Sequence, residues 1–396
     1  MTSEPIRLGV AGLGRAFVLM LPTFRADTRL RLTAAAAPRA ASRTAFRGEF
    51  GGTTHADVGA LCADPQVEAI YVATPHQMHA DHVVAAAEAG KHVLVDKPLA
   101  VSLEDGARMV AACDRAGVHL IVGPSHSFDA PVQLARQIIA SGEFGSLRMI
   151  QALNYTDFLY RPRRAEELRT DQGGGILFSQ AVHQIDMVRL LAGGLGQRVS
   201  AMTGAWDAAR PTEGAYSALL QFENGVFATL TYSGYAHFDS DIWMGNVGEL
   251  GHDKDPAAYG TARRALSGAD PASEATLKAR RTYGGGESPA PPQHHEHFGP
   301  VIVACDRADL RLTPDGVEIN GGTSRGFRAA PLHAAPRASV VDALWQALRH
   351  GQPPVQTGAW GLASLEVCHA ILTSAATGQI VDLTRQIAAP TQKEEP

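Results

Sequence analysis

No stretch of this 396-residue chain approaches the roughly 20 consecutive apolar residues that a membrane-spanning helix needs, so no membrane partner is expected. Residues 1–6 lack a cationic segment followed by an apolar core, and no secretion signal is read there. Cysteine is scarce: Cys62, Cys113, Cys305 and Cys368 are scattered and fit neither a metal-binding nor a redox spacing. Core packing in a reducing, cytoplasmic compartment is the expectation for them. Charge of one sign never accumulates, and the net charge is only −5. That argues against a nucleic-acid partner and leaves small-molecule binding open.

What the chain does have is apolar residue enough for sizeable cores, 45% against 19% charged. A single core seldom keeps growing past about 250–300 residues, so the length predicts two domains. Between residues 6 and 125, strand candidates at 7–11, 30–36, 69–72, 93–95 and 120–122 alternate with helical stretches. The amphipathic segments 80–89 and 103–116 are followed by Gly90 and Gly117, where a left-handed helix cap is wanted. Such alternation predicts a parallel, doubly wound sheet.

After Pro131 the pattern changes. One helix is expected over 133–141, and later segments read as longer strands. Tyr216, Ala218, Leu220 and Phe222 share a face, as do Val226, Ala228, Leu230 and Tyr232, with Glu223-Asn224-Gly225 between them as a hairpin signal. Asp315-Gly316 repeats the idea between 310–313 and 317–320. The reading is an α/β domain over 1–128 and an α+β domain over 129–387. Two closing helices are centred on Val340, Val341, Leu344 and Leu348 and on Leu365, Cys368, Ile371 and Leu372. A polar tail, 388–396, is expected to be disordered. Residues 237–298 show little periodicity and read as a long loop, lid or arm, with 241–251, holding Trp243 and Met244, the part readier to pack.

Gly12-Leu13-Gly14 follows a strand and precedes an apolar helix, the context a dinucleotide fingerprint requires. Gly12, Leu13, Gly14, Arg15, Ala16 and Phe17 form this candidate turn, although its last position is Phe17 rather than glycine. About 20 residues on, an acid would bond a ribose 2′-hydroxyl and an arginine a 2′-phosphate. The chain there reads Ala34-Ala35-Ala36-Ala37-Pro38-Arg39, with no acid. Arg39, with Arg43, can pair with that phosphate or stand as a solvated charge, so NAD and NADP are both open. Lys97, in H-V-L-V-D-K-P-L-A, stands before a proline at the carboxyl end of a strand, where open α/β sheets bind ligands. A surface lysine before a turn is the alternative.

In G-G-G-I-L-F-S-Q-A-V-H-Q-I-D, Ser179 and His183 are four apart and His183 and Asp186 three apart, so all three can share a helical face. Histidine suits a general base because its unperturbed pKa lies near neutrality; a structural histidine under a helix is the alternative. Tyr160-Arg161-Pro162-Arg163-Arg164, with Arg169 nearby, suits an anionic substrate, because guanidinium pairs bidentately with carboxylates. A solvated loop or a subunit contact would use the same residues. His294-His295-Glu296-His297 lies on a proline-flanked loop whose adjacent residues cannot all face one ion, so no metal is assigned.

Val72-Ala73-Thr74-Pro75, then His79, then Asp96-Lys97-Pro98-Leu99 resemble the Gfo/Idh/MocA oxidoreductase family, and the element order is similar along nearly the whole chain. The resemblance implies an α/β Rossmann domain followed by an α+β domain with an open, mainly antiparallel sheet. It implies Thr74, Pro75, His76 and His79 along a nicotinamide cofactor and Asp96, where the family commonly has glutamate, near its ribose. Lys97 would hydrogen-bond the reacting hydroxyl. The glycine run is similar to the family's entry into the helix bearing the catalytic histidine, which implies His183 as proton acceptor. Ser179 stands where the family often has aspartate, so no Asp–His dyad is implied.

At a finer level, G-L-G-R-A-F-V-L-M-L-P, F-S-Q-A-V-H-Q-I-D and W-M-G-N-V-G-E-L-G resemble the branch that oxidises phthalate cis-dihydrodiols. That branch implies an anionic cyclic diol as substrate, held by Arg161, Arg163, Arg164, Ser179 and His183. NAD is named first, because oxidation suits it, with NADP still open. An open sheet with an apolar face implies a homo-oligomer, dimer or tetramer. A sugar or inositol dehydrogenase of the same family and a non-catalytic nicotinamide-binding sensor are the alternatives.

Overall fold

A computed structural model describes residues 4–268, 270–285, 290–333 and 335–390 of the chain. Over these residues the chain forms two compact units: Met1–Pro124, Pro271–Pro291 and His333–Leu365 make one, and Ser125–Asp270, Pro292–Leu332 and Glu366–Pro396 the other.

The first unit is built on β1 (Ile6–Ala11), β2 (Leu30–Ala36), β3 (Thr53–His55), β4 (Ala69–Val72), β5 (His92–Val95) and β6 (Leu120–Val122). These strands read as short, nearly uninterrupted apolar runs because helices cover both faces of the sheet; all four residues of β4 are buried. The order is β3-β2-β1-β4-β5-β6, and every pairing is parallel. The helix Leu103–Ala116 shows how local sequence sets its limits. The Ser102 side chain accepts from the Asp105 N–H at its start, and Gly117 closes it in the left-handed region, φ 65°.

Two later segments return to this unit, which a single boundary near residue 128 does not describe. In Pro271–Pro291, part of the stretch expected to be a long loop, the Tyr283 ring stands edge-on to Phe17 at 5.2 Å. Its carbonyl accepts from Ser42 at 3.1 Å, and its hydroxyl donates to Glu49 at 2.6 Å. The stretch expected to be a loop also contains the helices Thr261–Leu266, which belongs to the other unit, and Pro271–Arg280. Its weak amphipathicity hid these helices. The helix Ala338–His350 also belongs here, with Val340, Val341, Leu344 and Ala347 buried; Arg349 reaches Glu68 at 2.5 and 3.0 Å.

The second unit carries β7 (Leu147–Tyr155), β8 (Gly196–Gly204), β9 (Ala215–Phe222), β10 (Phe227–Ser233), β11 (Val301–Cys305), β12 (Ala308–Thr313), β13 (Gly316–Gly321), β14 (Arg325–Ala329) and β15 (Val381–Asp382). They form one sheet in the order β14-β13-β12-β11-β7-β10-β9-β8-β15. Only β10 and β7 pair in parallel; the remaining pairs are antiparallel. Gly225 turns the β9–β10 hairpin with φ 82°, and the Phe222 N–H donates to the Val226 carbonyl at 2.9 Å. Tyr216, Ala218, Leu220 and Phe222 are buried together, as their alternation predicts.

Met244 and Val247 are buried in the part of the long segment expected to pack, whereas Trp243 stays half exposed. Residues 388–390, expected to be disordered, are tied down: the Ala389 N–H donates to the Gly193 carbonyl, and the Pro390 carbonyl accepts from Arg136. The rest of the expected tail, 391–396, lies outside the described residues. Among the described residues, no helix is long and apolar enough to cross a membrane. All four cysteines are unbridged, and Cys62, Cys113 and Cys368 are buried.

Candidate active site

In the first unit the strand order reverses between β1 and β4, and ligands bind at such switch points beyond the carboxyl ends of the strands. Gly12 leaves β1 with φ 99°, and a Cβ there would lie 2.6 Å from the Ala73 carbonyl oxygen just past β4. Only glycine lets the turn run this close to the neighbouring strand. The helix Arg15–Ala26 starts at once, with no side-chain cap at Gly14. Its first-turn N–H groups and positive end suit a phosphate, so the turn fits a dinucleotide. Arg39 donates to the Leu13 carbonyl at 3.4 Å, which lays its guanidinium over this turn. Arg43 instead donates to the Ala37 and Pro38 carbonyls at 2.7 and 2.8 Å. Phe17, expected at the cofactor, is fully buried. Its side chain packs against Phe24 and Phe46 in the core, which leaves the first-turn backbone N–H as its means of meeting a ligand.

Lys97 is the one residue between Val93 and Ala100 that is not buried. Beneath it lies a polar cluster. Asp96, 9% exposed, accepts from the Tyr71 hydroxyl at 3.2 Å. Burial pushes the Asp96 carboxyl above its usual range, opposed by the charges of Lys97, His79 and Arg337. His79 does not lie along a cofactor as the resemblance implies. It is fully buried, with Nδ1 3.0 Å from the Pro98 carbonyl and Nε2 2.9 Å from the Thr74 carbonyl. It therefore ties the end of β4 to the turn after Lys97. Burial lowers its pKa, opposed by the Asp96 charge. Thr74 has its hydroxyl 2.9 Å from His82 Nδ1, and Thr74, Pro75 and His76 are half-buried.

In the second unit, the glycine run wraps around Glu213. Gly175 has φ 74°, and a Cβ on it would lie 2.1 Å from Glu213 Oε1. Glu213 accepts from the Leu177 N–H at 3.3 Å and from the hydroxyls of Thr212 and Thr170. This buried carboxylate, which sequence reading missed, caps the start of the helix that follows. Leu177–Ala181 is a π-helical turn leading into the helix Val182–Ala192. Such wide turns recur at functional sites. From Ile176 to Ala192 only Ser179, Gln180 and His183 are not buried. The same sequence stretch thus delivers His183 and Ser179 to a surface that its neighbours line with apolar groups. Asp186 accepts from the Ser125 hydroxyl at 2.5 Å.

Around His183, the His126 ring stands at 4.7 Å, edge to face, and Phe298 at 5.3 Å. Tyr232 stacks on Phe298 at 5.8 Å. His126 Nδ1 lies 2.7 Å from Asp129 Oδ2. Sequence reading overlooked His126 and Asp129, although Ser125-His126-Ser127-Phe128-Asp129 comes soon after β6, a third polar cluster past a strand end.

The arginine cluster carries its own counter-charges. Arg161 pairs with Glu249 at 2.9 Å and Asp157 at 3.4 Å. Burial works against the Arg161 charge but the two carboxylates hold its pKa above the usual arginine value. Arg164 pairs with Glu166 at 2.9 Å. Arg163 donates to the Phe158 carbonyl at 2.8 Å and lies 3.5 Å over the Phe158 ring. Arg169 pairs with Asp171 at the surface. The cluster is therefore less positive than its sequence suggests.

The histidines of 294–297 go to separate partners. His294 pairs with Asp253 and Asp315, and His295 Nε2 lies 3.0 Å from the Ala330 carbonyl. Glu296 joins a different group: one ligand atom each from His126, Asp129 and Glu296 lie within 4.8 Å of one another. His297 Nε2 lies 2.9 Å from the Val247 carbonyl, and its Nδ1 accepts from the Gly299 N–H at 3.0 Å. One donor and one acceptor suit the neutral ring, and burial pushes its pKa down to about 4. Since the unfolded value is near 6.5, neutral His297 contributes stability that is present above pH 6.5 and lost as pH falls through about 4. Urea unfolding should show the wild type losing up to about 3 kcal/mol more than His297→Gln across that window. Parallel losses in the two proteins would contradict the assignment.

Residues 6–124 match the oxidoreductase family with an NAD-binding Rossmann fold, GFO/IDH/MocA. Residues 132–252 match the GFO/IDH/MocA C-terminal domain. A 1-carboxy-3-chloro-3,4-dihydroxycyclohexa-1,5-diene dehydrogenase from Comamonas testosteroni is 48% identical over 374 residues, 93% of this chain and 94% of its own. The crystal structure of a protein described as a dehydrogenase from Bordetella bronchiseptica RB50 superposes with TM-score 0.91 at 40% identity, covering 96% of this chain and 100% of that one. Levoglucosan dehydrogenase in complex with NADH and levoglucosan, 18% identical with TM-score 0.72 and covering 96% of this chain and 100% of its own, shares the fold. With a glycine turn that fits a dinucleotide and both domain matches in place, the chain belongs to the GFO/IDH/MocA family of NAD-binding oxidoreductases.

Proposed function

We propose that this enzyme oxidises a carboxylated cyclohexadiene cis-diol to the corresponding catechol, with NAD as hydride acceptor. The observation that carries the reading is the 48% identity, over 93% of the chain, to a dehydrogenase named for a carboxylated cyclohexadiene diol. His183 is the proton acceptor for the reacting hydroxyl, and Lys97 is a hydrogen-bond donor to negative charge that develops in the reaction. The carbinol hydrogen leaves as hydride, and NAD, when bound, supplies the acceptor. Where the neighbouring carbinol carbon still bears a hydrogen, the ring ketone so formed tautomerises to a catechol, and the aromaticity gained makes oxidation effectively one-way. Asp96 and His79 brace Lys97 from below.

Arg161, Arg163 and Arg164 recognise the substrate carboxylate, with Ser179 beside His183 facing the diol. In its finest form the reading is phthalate 4,5-cis-dihydrodiol oxidised to the dihydroxyphthalate, the substrate of the branch that the sequence resembles, with Arg161 and Arg164 binding it only by exchanging Glu249 and Glu166 for its carboxylates. The Comamonas relative is named for a diol with one carboxylate and a chlorine. We further propose a homo-oligomer, dimer or tetramer, built on the open face of the second sheet. Strand register puts the partly exposed Met202, Leu219, Phe227, Ile302 and Phe327 on that one face.

NADH formation by the purified protein on four compounds tests the reaction: the chlorinated monocarboxylate diol, the phthalate cis-dihydrodiol, an uncharged aromatic cis-dihydrodiol and inositol. Fast turnover confined to carboxylated diols is expected, and the better of the two fixes the ring substituents. Turnover of inositol alone would sink the diol reading. Lys97→Ala and His183→Ala should each cost roughly 10²–10⁴ in kcat with NAD affinity little changed. Arg163→Gln should raise KM for the acidic diol more than for the uncharged one. Sedimentation showing only monomer at working concentration would remove the oligomer.

A further inference from the structure

We propose that His126, oriented by Asp129, is a positioning residue for His183; this rests on the reading of His183 as proton acceptor. The His126 and Asp129 side chains are only 9% and 10% exposed, and their 2.7 Å contact puts a carboxylate on Nδ1. A carboxylate at one nitrogen fixes both the tautomer and the rotation of an imidazole. The other side of the arrangement is equally constrained. The His126 and His183 ring planes meet at 68° with centroids 4.7 Å apart. Phe298 leans on both, at 5.2 Å and 5.3 Å, and is itself held by Tyr232. Edge-to-face packing of this kind has a preferred geometry, so a fixed His126 fixes the plane of His183.

The backbone agrees. The Ser125 hydroxyl donates to Asp186 at 2.5 Å, one helical turn beyond His183, which pins the segment carrying His126 to the helix carrying the base. The result is a chain from Asp129 through His126 to His183, in which a base is oriented by groups that need not touch substrate themselves. A general base held a few tenths of an ångström or some tens of degrees off its target loses rate rather than binding.

Kinetics with 1-carboxy-3-chloro-3,4-dihydroxycyclohexa-1,5-diene and NAD test this. His126→Phe keeps a ring against His183 and Phe298 but loses the Asp129 bond. It should lower kcat roughly 10–100-fold with KM for both substrates little changed. Asp129→Asn, which can still accept from Nδ1, should lower kcat less, and it carries the test if His126→Phe does not fold. In a His183→Ala background either replacement should cost no more than about twofold, because the residue acts through His183. Equal losses in both backgrounds, a rise in KM with kcat intact, or full activity of both variants would overturn the proposal while leaving His183 as the base. Near-normal turnover of His183→Ala would overturn both together. Because Glu296 offers a third donor atom to the pair, turnover is also followed after EDTA treatment. Unchanged activity is expected, and a loss reversed by a divalent cation would assign the trio to metal binding instead.

Discussion

The first unit depends on one constraint: six parallel strands whose carboxyl ends all point the same way. Parallel pairing forces every connection to cross back over the sheet, so the segments leaving β1, β4 and β5 start from the same edge. Gly12, Thr74 and Lys97 therefore become neighbours by topology although 85 residues separate the first from the last. The contact that makes this edge usable is the approach of Gly12 to the Ala73 carbonyl. A side chain there would push β1 and β4 apart where the cofactor turn must form.

Both units then place reactive groups by burying polar ones that do not react. His79 sets its two ring nitrogens against two backbone carbonyls, of which the neutral ring donates to one, and so holds the turn that presents Lys97. Glu213 spends its carboxylate on the start of the helix that exposes His183. Arg161 and Glu249 neutralise each other in a half-buried pair. Groups like these are costly to desolvate and are retained only where they are fully hydrogen-bonded. In the first two cases a buried polar residue supports the segment, and a half-buried one, Lys97 or His183, is presented.

A histidine carries most of the ambiguity in such a chain, since the same residue type serves as strut, core filler or base. His79 and His297 stand in short runs with other histidines, and His183 in an apolar helical run, none of which assigns a role. Their burial and partners separate them. His79 and His297 have both ring nitrogens engaged by the backbone, whereas His183 rises from an otherwise buried helix face.

By itself the sequence determined the strand–helix alternation of the first unit and the hairpins of the second, because periodicity and turn residues are local properties. It also located Gly12, Lys97 and His183, each next to a strand end or helix start that short-range pattern reveals. What only tertiary structure decided was long-range. The return of Pro271–Pro291 and His333–Leu365 to the first unit depends on Tyr283 meeting Phe17 and Arg349 meeting Glu68, contacts more than 260 residues apart in one case and 280 in the other. The burial of the Phe17 side chain in the core, the neutralising of the arginines and the joining of Asp129 to His126 beside His183 were likewise invisible. No local pattern encodes which charges meet across a fold, since that depends on how distant segments pack, and packing is a property of the whole chain.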